Sequence, residues 1–273
     1  MTLPKALYPV ILLLFPVLSF GQTKTALSRS EIGPFIGGSY YIGDLNQKHF
    51  NHTNLALGAV YRYNIHSRTT FRANFTYGKI EGYDSESPSA ENVNRNLSFQ
   101  SELFELGAGF EFSYLPFEVG HDYFRGTGYL LAELALTRIN PTTDYNGEQV
   151  ELQALGTEGQ GTSQSSKSSY LRTQLSVPIG VGFRFSLGER MCLSLEYGIR
   201  FMFTDYLDDV GGYPYVDPAV LAAENGPMAA DLSNRSLDGL RYGRRGNPAT
   251  RDWYSFTGVI LTFTLGNPTT CWH

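Results

Sequence analysis

Two adjacent stretches constrain this chain more than anything else in it. From Thr173 to Leu187 the odd positions are Leu175, Val177, Ile179, Val181, Phe183, Phe185 and Leu187, and the even positions are Gln174, Ser176, Pro178, Gly180, Gly182, Arg184 and Ser186. After Gly188-Glu189-Arg190 the alternation resumes. Met191, Leu193, Leu195, Tyr197, Ile199, Phe201 and Phe203 then share one face, opposite Cys192, Ser194, Glu196, Gly198, Arg200 and Thr204. A period of two puts the apolar set on one side of an extended strand. The pair therefore reads as a long amphipathic hairpin with a tight turn. The texture recurs upstream at Leu55–Tyr63, Phe71–Tyr77, Phe104–Tyr114 and Leu130–Thr137, and less cleanly near Glu31–Tyr41 and Trp253–Leu265. Eight strands are expected.

Which face lies inside is decided by three features. In a soluble sandwich the apolar face makes the core and the polar face meets water. In an outer-membrane barrel the arrangement inverts. The strands here run longer than the usual ~5 to 6 residues. Their polar faces carry Gly and single charges, in a chain with only 17% charged residues where soluble domains average about 25%. The connections alternate between short (Ile65–Arg68, Pro116–Gly126, Gly188–Arg190) and long (43–53, 81–96, 141–169, 207–250), the asymmetry of short periplasmic turns and long outer loops. The expected fold is all-β: a transmembrane antiparallel up-and-down barrel of eight strands, with both termini periplasmic. Its lumen is only wide enough for side chains. The inward register holds Arg62, Arg72, Arg184 and Arg200 against Glu105, Glu111, Glu133 and Glu196. Buried charges need partners, so these eight are expected to form a lumenal ion-pair network and plug the barrel.

Residues 1–21 read as a secretory signal, with Lys5 before the apolar run Leu7–Leu18 and small residues at Ser19-Phe20-Gly21. Residues 22–273 then make one barrel domain, in which outer-membrane lipid is the first expected partner. No other stretch is long and apolar enough for a membrane helix. The net charge of −5 and the lack of a basic cluster beyond Arg241, Arg244 and Arg245 exclude a nucleic-acid partner. Thr157–Ser169 is rich in Gly, Ser, Gln and Thr and reads as a flexible loop. Asp217 is placed to cap a short helix near Pro218–Glu224.

Catalytic chemistry is poorly supplied. The five histidines make no metal spacing such as H-E-x-x-H, and no G-x-S-x-G elbow occurs. Asp205, Asp208 and Asp209 are the ordinary content of a solvated loop more than a calcium set. No catalytic, cofactor-binding or metal residue is expected, and no cofactor. Two cysteines remain. Cys192 lies on the inward face and Cys271 in the tail; they could bridge each other, Cys271 could pair with another protein, or both could be free thiols.

Several blocks resemble the PorG-type outer-membrane barrels of the Bacteroidota type IX secretion and gliding machinery. They are Glu31-Ile32-Gly33-Pro34-Phe35-Ile36-Gly37-Gly38-Ser39-Tyr40-Tyr41-Ile42-Gly43-Asp44-Leu45-Asn46, Thr204-Asp205-Tyr206-Leu207-Asp208-Asp209-Val210, Asn225-Gly226-Pro227, Leu232-Ser233-Asn234-Arg235-Ser236, Arg245-Gly246-Asn247-Pro248, Asp252-Trp253-Tyr254 and Cys271. The resemblance implies a non-catalytic role: anchoring a periplasmic ring of PorK-like lipoprotein and PorN-like protein to the outer membrane. On topology, partners would meet the turn Pro116–Gly126, which carries Phe117, His121, Tyr123 and Phe124 as expected exposed contacts, and the tail with Cys271. The alternatives are a surface barrel whose outer loops bind ligand and a small lipid-modifying barrel enzyme.

Overall fold

The computed structural model describes residues 30–165, 167–241, 244–247 and 251–265. Eight long strands close into an antiparallel barrel: β1 (Ser30–Ile42), β2 (Asn54–His66), β3 (Thr69–Tyr83), β4 (Ser98–Ser113), β5 (Gly126–Tyr145), β7 (Thr173–Ser186), β8 (Met191–Met202) and β9 (Trp253–Leu265). A short β6 (Glu148–Glu151) folds back on the tip of β5. Each strand pairs with its sequence neighbours, and β1 pairs with β9 to seal the ring. The seam register places Ser30 opposite Leu265, so both ends of the described barrel lie at the end with the short turns. The expected eight-stranded barrel is the observed one.

The alternation in the sequence becomes an inside and an outside. On β4, Phe104, Leu106, Phe110 and Phe112 point outward, and on β5 Leu130, Leu134 and Leu136 do, all 40–64% exposed. Between them on the same strands, Glu105, Glu111, Glu133 and Thr137 are buried. Phe104 to Phe112 spans roughly 26 Å of strand at ~3.3 Å per residue, or about 20 Å after a barrel tilt of ~40°. That is close to the apolar band of an outer-membrane barrel. Above the band the outward positions turn polar at Glu102 and Arg138, yet the pairing of β4 with β5 continues to Gln100 and Thr142.

The expected loops 81–96 and 141–169 therefore begin within strands: β3 reaches Tyr83 and β5 reaches Tyr145. The alternation faded there because the strands leave lipid, not because pairing stops.

The long connections build a cap over one end of the barrel. It contains a 3-10 turn at Asp84–Glu86 and four short helices, α1 (Ala90–Arg95), α2 (Leu152–Leu155), α3 (Pro218–Glu224) and α4 (Pro227–Ser233). Asp217 Oδ1 accepts the Ala219 N–H at 2.8 Å and caps α3, with Pro218 in its first turn. Under the cap lies an apolar core of Tyr41, Leu45, Phe99, Leu103, Ile139, Leu152, Met202, Leu207, Val210 and Leu232. The lumen is thus polar through the membrane band and closed by an apolar plug at the long-loop end.

Thr157–Ser169 differs from its expected flexibility. Thr157, Glu158, Gln160 and Thr162 are buried. Both the N–H and the hydroxyl of Ser163 donate to Glu224 at 2.6 Å. Its polar composition serves hydrogen bonds inside the cap instead of contact with water. The expected signal segment 1–21 and the tail with Cys271 lie outside the described residues.

Candidate functional site

The eight predicted lumenal charges meet. Arg72 is the hub: its guanidinium binds Glu196 through both terminal nitrogens and Glu111 Oε1 at 3.1 Å, and its Nε lies 3.3 Å from Glu133 Oε1. Arg62 Nε donates to Glu111 Oε1 at 2.8 Å, and Arg184 stands 3.7 Å from Glu111 Oε2. Arg200 Nε donates to Glu105 Oε2 at 3.2 Å. All eight side chains are buried.

The strands explain the meeting. Inward positions on β2, β3, β4, β5, β7 and β8 project into a lumen narrow enough for guanidiniums to reach across it. Glu133 makes no aligned hydrogen bond.

Three further members of this interior lie outside the eight expected charges. Tyr129 donates to Glu196 at 2.6 Å, Tyr254 donates to Glu105 at 2.6 Å, and Glu31 accepts from Asn64 (2.6 Å) and Thr262 (2.7 Å). Five carboxylates thus share the interior with four arginines. Inward parity could have found Glu31 and Tyr254, but both lie on the two strands whose alternation is least regular. Among the described residues, buried ion pairs and hydrogen bonds fill this stretch of the lumen.

A second cluster joins barrel and cap. The Tyr41 hydroxyl lies 2.5 Å from Asp208 Oδ2 and 3.0 Å from Asp252 Oδ1. Asp208 also accepts from Val210 N–H, and Asp252 from Leu207 N–H. Next to them Asp209 accepts from Tyr170 (2.8 Å), from Thr157 and from Arg245. Asp44 Oδ2 accepts the Asn247 N–H at 2.8 Å. The blocks around Asp44, Asp205–Val210, Arg245–Asn247 and Asp252, far apart in sequence, converge here. Protein donors occupy Asp208 and Asp209, two of the three carboxylates weighed for calcium, and no metal-holding group of three or more His, Cys, Asp or Glu occurs among the described residues.

One phenol proton cannot serve two carboxylates, so the second contact of Tyr41 needs a protonated acid. Burial, then the neighbouring carboxylates Asp252 and Asp44, holds Asp208 well above the usual carboxylate range. Burial, then Asp205, does the same to Asp252. Burial also lifts Glu158 to about 7 and, aided by Asp44, Asp205 to about 6. Acids raised in the folded state stabilise it fully below their ordinary range, and this stability is lost as pH rises through the folded values. The cap should therefore open several-fold more readily at pH 8 than at pH 5, as measured by hydrogen exchange over residues 203–241. Asp208→Asn should flatten that difference. A cap equally protected at both pH values contradicts the assignment.

The short-turn end differs in two respects from the sequence reading, the first being that His121, expected to be exposed, is half-buried. Phe117, expected to be exposed, is 4% exposed. Its ring packs 4.2 Å from the Arg184 guanidinium and its N–H binds Ser67 O at 2.8 Å. A cation–π contact at the mouth of the lumen is worth more to this ring than solvent contact. The exposed aromatic residues of that turn are Tyr123, 88% exposed, and Phe124. His121 Nδ1 accepts from the N–H groups of both Tyr123 and Phe124 and shapes the turn. Cys192 is buried at the same end.

An apolar belt outside, interlocked charges inside and an apolar cap define a plugged transmembrane β-barrel of outer-membrane type. The chain belongs to the family described as a domain of unknown function (DUF6089), whose model matches residues 6–219. No curated protein matches it. Among solved structures it is similar to Neisserial surface protein A, at 10% identity over 88% of this chain and 100% of that one, with a TM-score of 0.43. It is also similar to Ail, the attachment invasion locus protein of Yersinia pestis, solved with the heparin analogue sucrose octasulfate (10% identity, 86% and 96% covered, TM-score 0.41). A third is the N-terminal β-barrel domain of Pseudomonas aeruginosa OprF (11%, 87% and 100%, TM-score 0.36).

Proposed function

We propose that the chain is a non-catalytic outer-membrane component of the type IX secretion and gliding machinery, which holds a periplasmic ring of PorK-like lipoprotein and PorN-like protein. The observation that carries the non-catalytic, non-porin part is the lumen, where every predicted charge is engaged with other charges. Function is left to the two ends. In this reading the short turns and both termini face the periplasm. Tyr123 and Phe124 are exposed aromatics on a turn whose backbone His121 fixes, the kind of anchor that dominates interfaces. Tyr114, just past the end of β4, adds a further exposed ring at this end, at 81%. The choice of machinery rests on the sequence blocks that resemble PorG-type barrels.

Affinity capture from gently solubilised envelopes tests it, with mass spectrometry run with and without reductant. Co-recovery of the ring proteins is expected, and a partner retained covalently only without reductant would assign an intermolecular disulfide to Cys271. The double variant Tyr123→Ala with Phe124→Ala should weaken capture at least thirtyfold, in keeping with hot-spot losses of ~2 kcal/mol or more, while the barrel still folds. Phe117→Ala should instead loosen the barrel itself. Recovery of the barrel alone from cells that make the ring contradicts the reading. It would favour the surface barrel whose cap binds a ligand, supported by the cavity of about 920 Å³ at the foot of the cap.

A further inference from the structure

A cavity of about 920 Å³ opens at the foot of the cap, within the range of small-molecule sites. Its floor is apolar and continuous with the lipid-facing belt. Ile42, Trp253 and Phe201 are register partners across β1, β9 and β8 and form the last outward row before the cap. Its upper wall is cationic. The Arg251 guanidinium lies 5.6 Å over the Phe201 ring, at the boundary between floor and wall. Arg244 joins the wall through a strand bridge to Pro214. Arg95 also lines it but is committed, holding Asp84 through two 2.7 Å bonds. Two carboxylates share the wall: Asp44, which accepts from Asn247, and Glu91.

An apolar shelf level with the membrane boundary and guanidiniums above it match one molecular shape: acyl chains below an anionic head. A small soluble anion has no use for the Ile–Trp–Phe floor. A neutral lipid has no use for Arg244 and Arg251.

We propose that this groove seats a phosphorylated lipid of the leaflet on the cap side, its chains along Ile42, Trp253 and Phe201 and its phosphate held by Arg244 and Arg251. The proposal rests on the membrane-spanning reading of the fold and is independent of the secretion partner. Guanidinium is the side chain suited to phosphate, through paired N–H donors.

The test uses the full mature chain, folded in detergent and offered phosphatidylglycerol or phosphatidylcholine, with retained lipid read by native mass spectrometry. Wild-type protein should retain phosphatidylglycerol in preference to phosphatidylcholine. A basic residue near a membrane surface contributes roughly a fivefold gain in anionic-lipid binding, so Arg244→Gln with Arg251→Gln should cut that preference by about thirtyfold. Each single variant should lie between. Folding is checked separately by heat-modifiable gel mobility in lipid vesicles, so loss of insertion is distinguishable from loss of lipid. Equal retention of both lipids, or a preference unchanged in a folded double variant, overturns the proposal. Displacement of phosphatidylglycerol by millimolar inorganic phosphate also overturns it, by showing a soluble-anion site.

Discussion

Replacing Arg72 with methionine should destabilise the barrel by about 3–5 kcal/mol, the usual cost of leaving buried charges without their partner. Arg72 touches three carboxylates, Glu111, Glu133 and Glu196, none of which meets water. Its loss leaves Glu196 with Tyr129 as its remaining hydrogen-bond donor among the described contacts. The effect should appear as a lower urea midpoint for the heat-modifiable band in lipid vesicles. Adding Glu196→Gln to Arg72→Met should recover part of the loss, because the second change removes the stranded charge. A single variant within about 1 kcal/mol of wild type would mean that the lumen is wet and the charges solvated. The plug would then need another explanation.

The second large effect lies on the outer wall. Leu134 and Leu237 are similarly exposed, at 61% and 68%. In a water-soluble protein, arginine at either site should cost less than ~0.5 kcal/mol. Here Leu134 sits within the apolar band on β5 and Leu237 belongs to the cap. Leu134→Arg should cost about 2–4 kcal/mol in vesicles, as charge does near the midplane on a lipid-facing strand. Leu237→Arg should stay near zero. Equal costs at the two sites would remove the lipid from the account.

What the sequence made legible follows from how each part of the fold is paid for. Most of β7 and β8 lies within the band, where lipid on one side and a narrow lumen on the other enforce alternation residue by residue. Their faces and their turn could be read directly. Strand β1 obscures its parity because its outward Tyr40 is buried against Tyr197, His49 and Phe50, so the residue looks inward in composition. Glu31 was lost for that reason. The cap was the least legible part. Its partners, such as Thr157 with Asp209 or Asn94 with Asp238, are 52 and 144 residues apart, and polar residues that bond one another look the same in sequence as polar residues that bond water. The blocks around Asp44, Asp208 and Asp252 also meet there from far apart in the chain, which spacing alone does not reveal. The inward turn of Phe117 likewise required Arg184, 67 positions away, to be placed beneath it in space.

Depth-resolved quenching tests whether the barrel is inverted, with lipid on its apolar face. Tryptophan is placed at Leu134, in a chain whose Trp253 and Trp272 are replaced by phenylalanine, and the protein is folded into vesicles with bromine at defined acyl positions. Bromine deep in the bilayer should quench this tryptophan strongly, and a tryptophan at Leu237 only weakly. A tryptophan at Leu134 that deep bromine leaves unquenched, while aqueous iodide quenches it, would contradict the account.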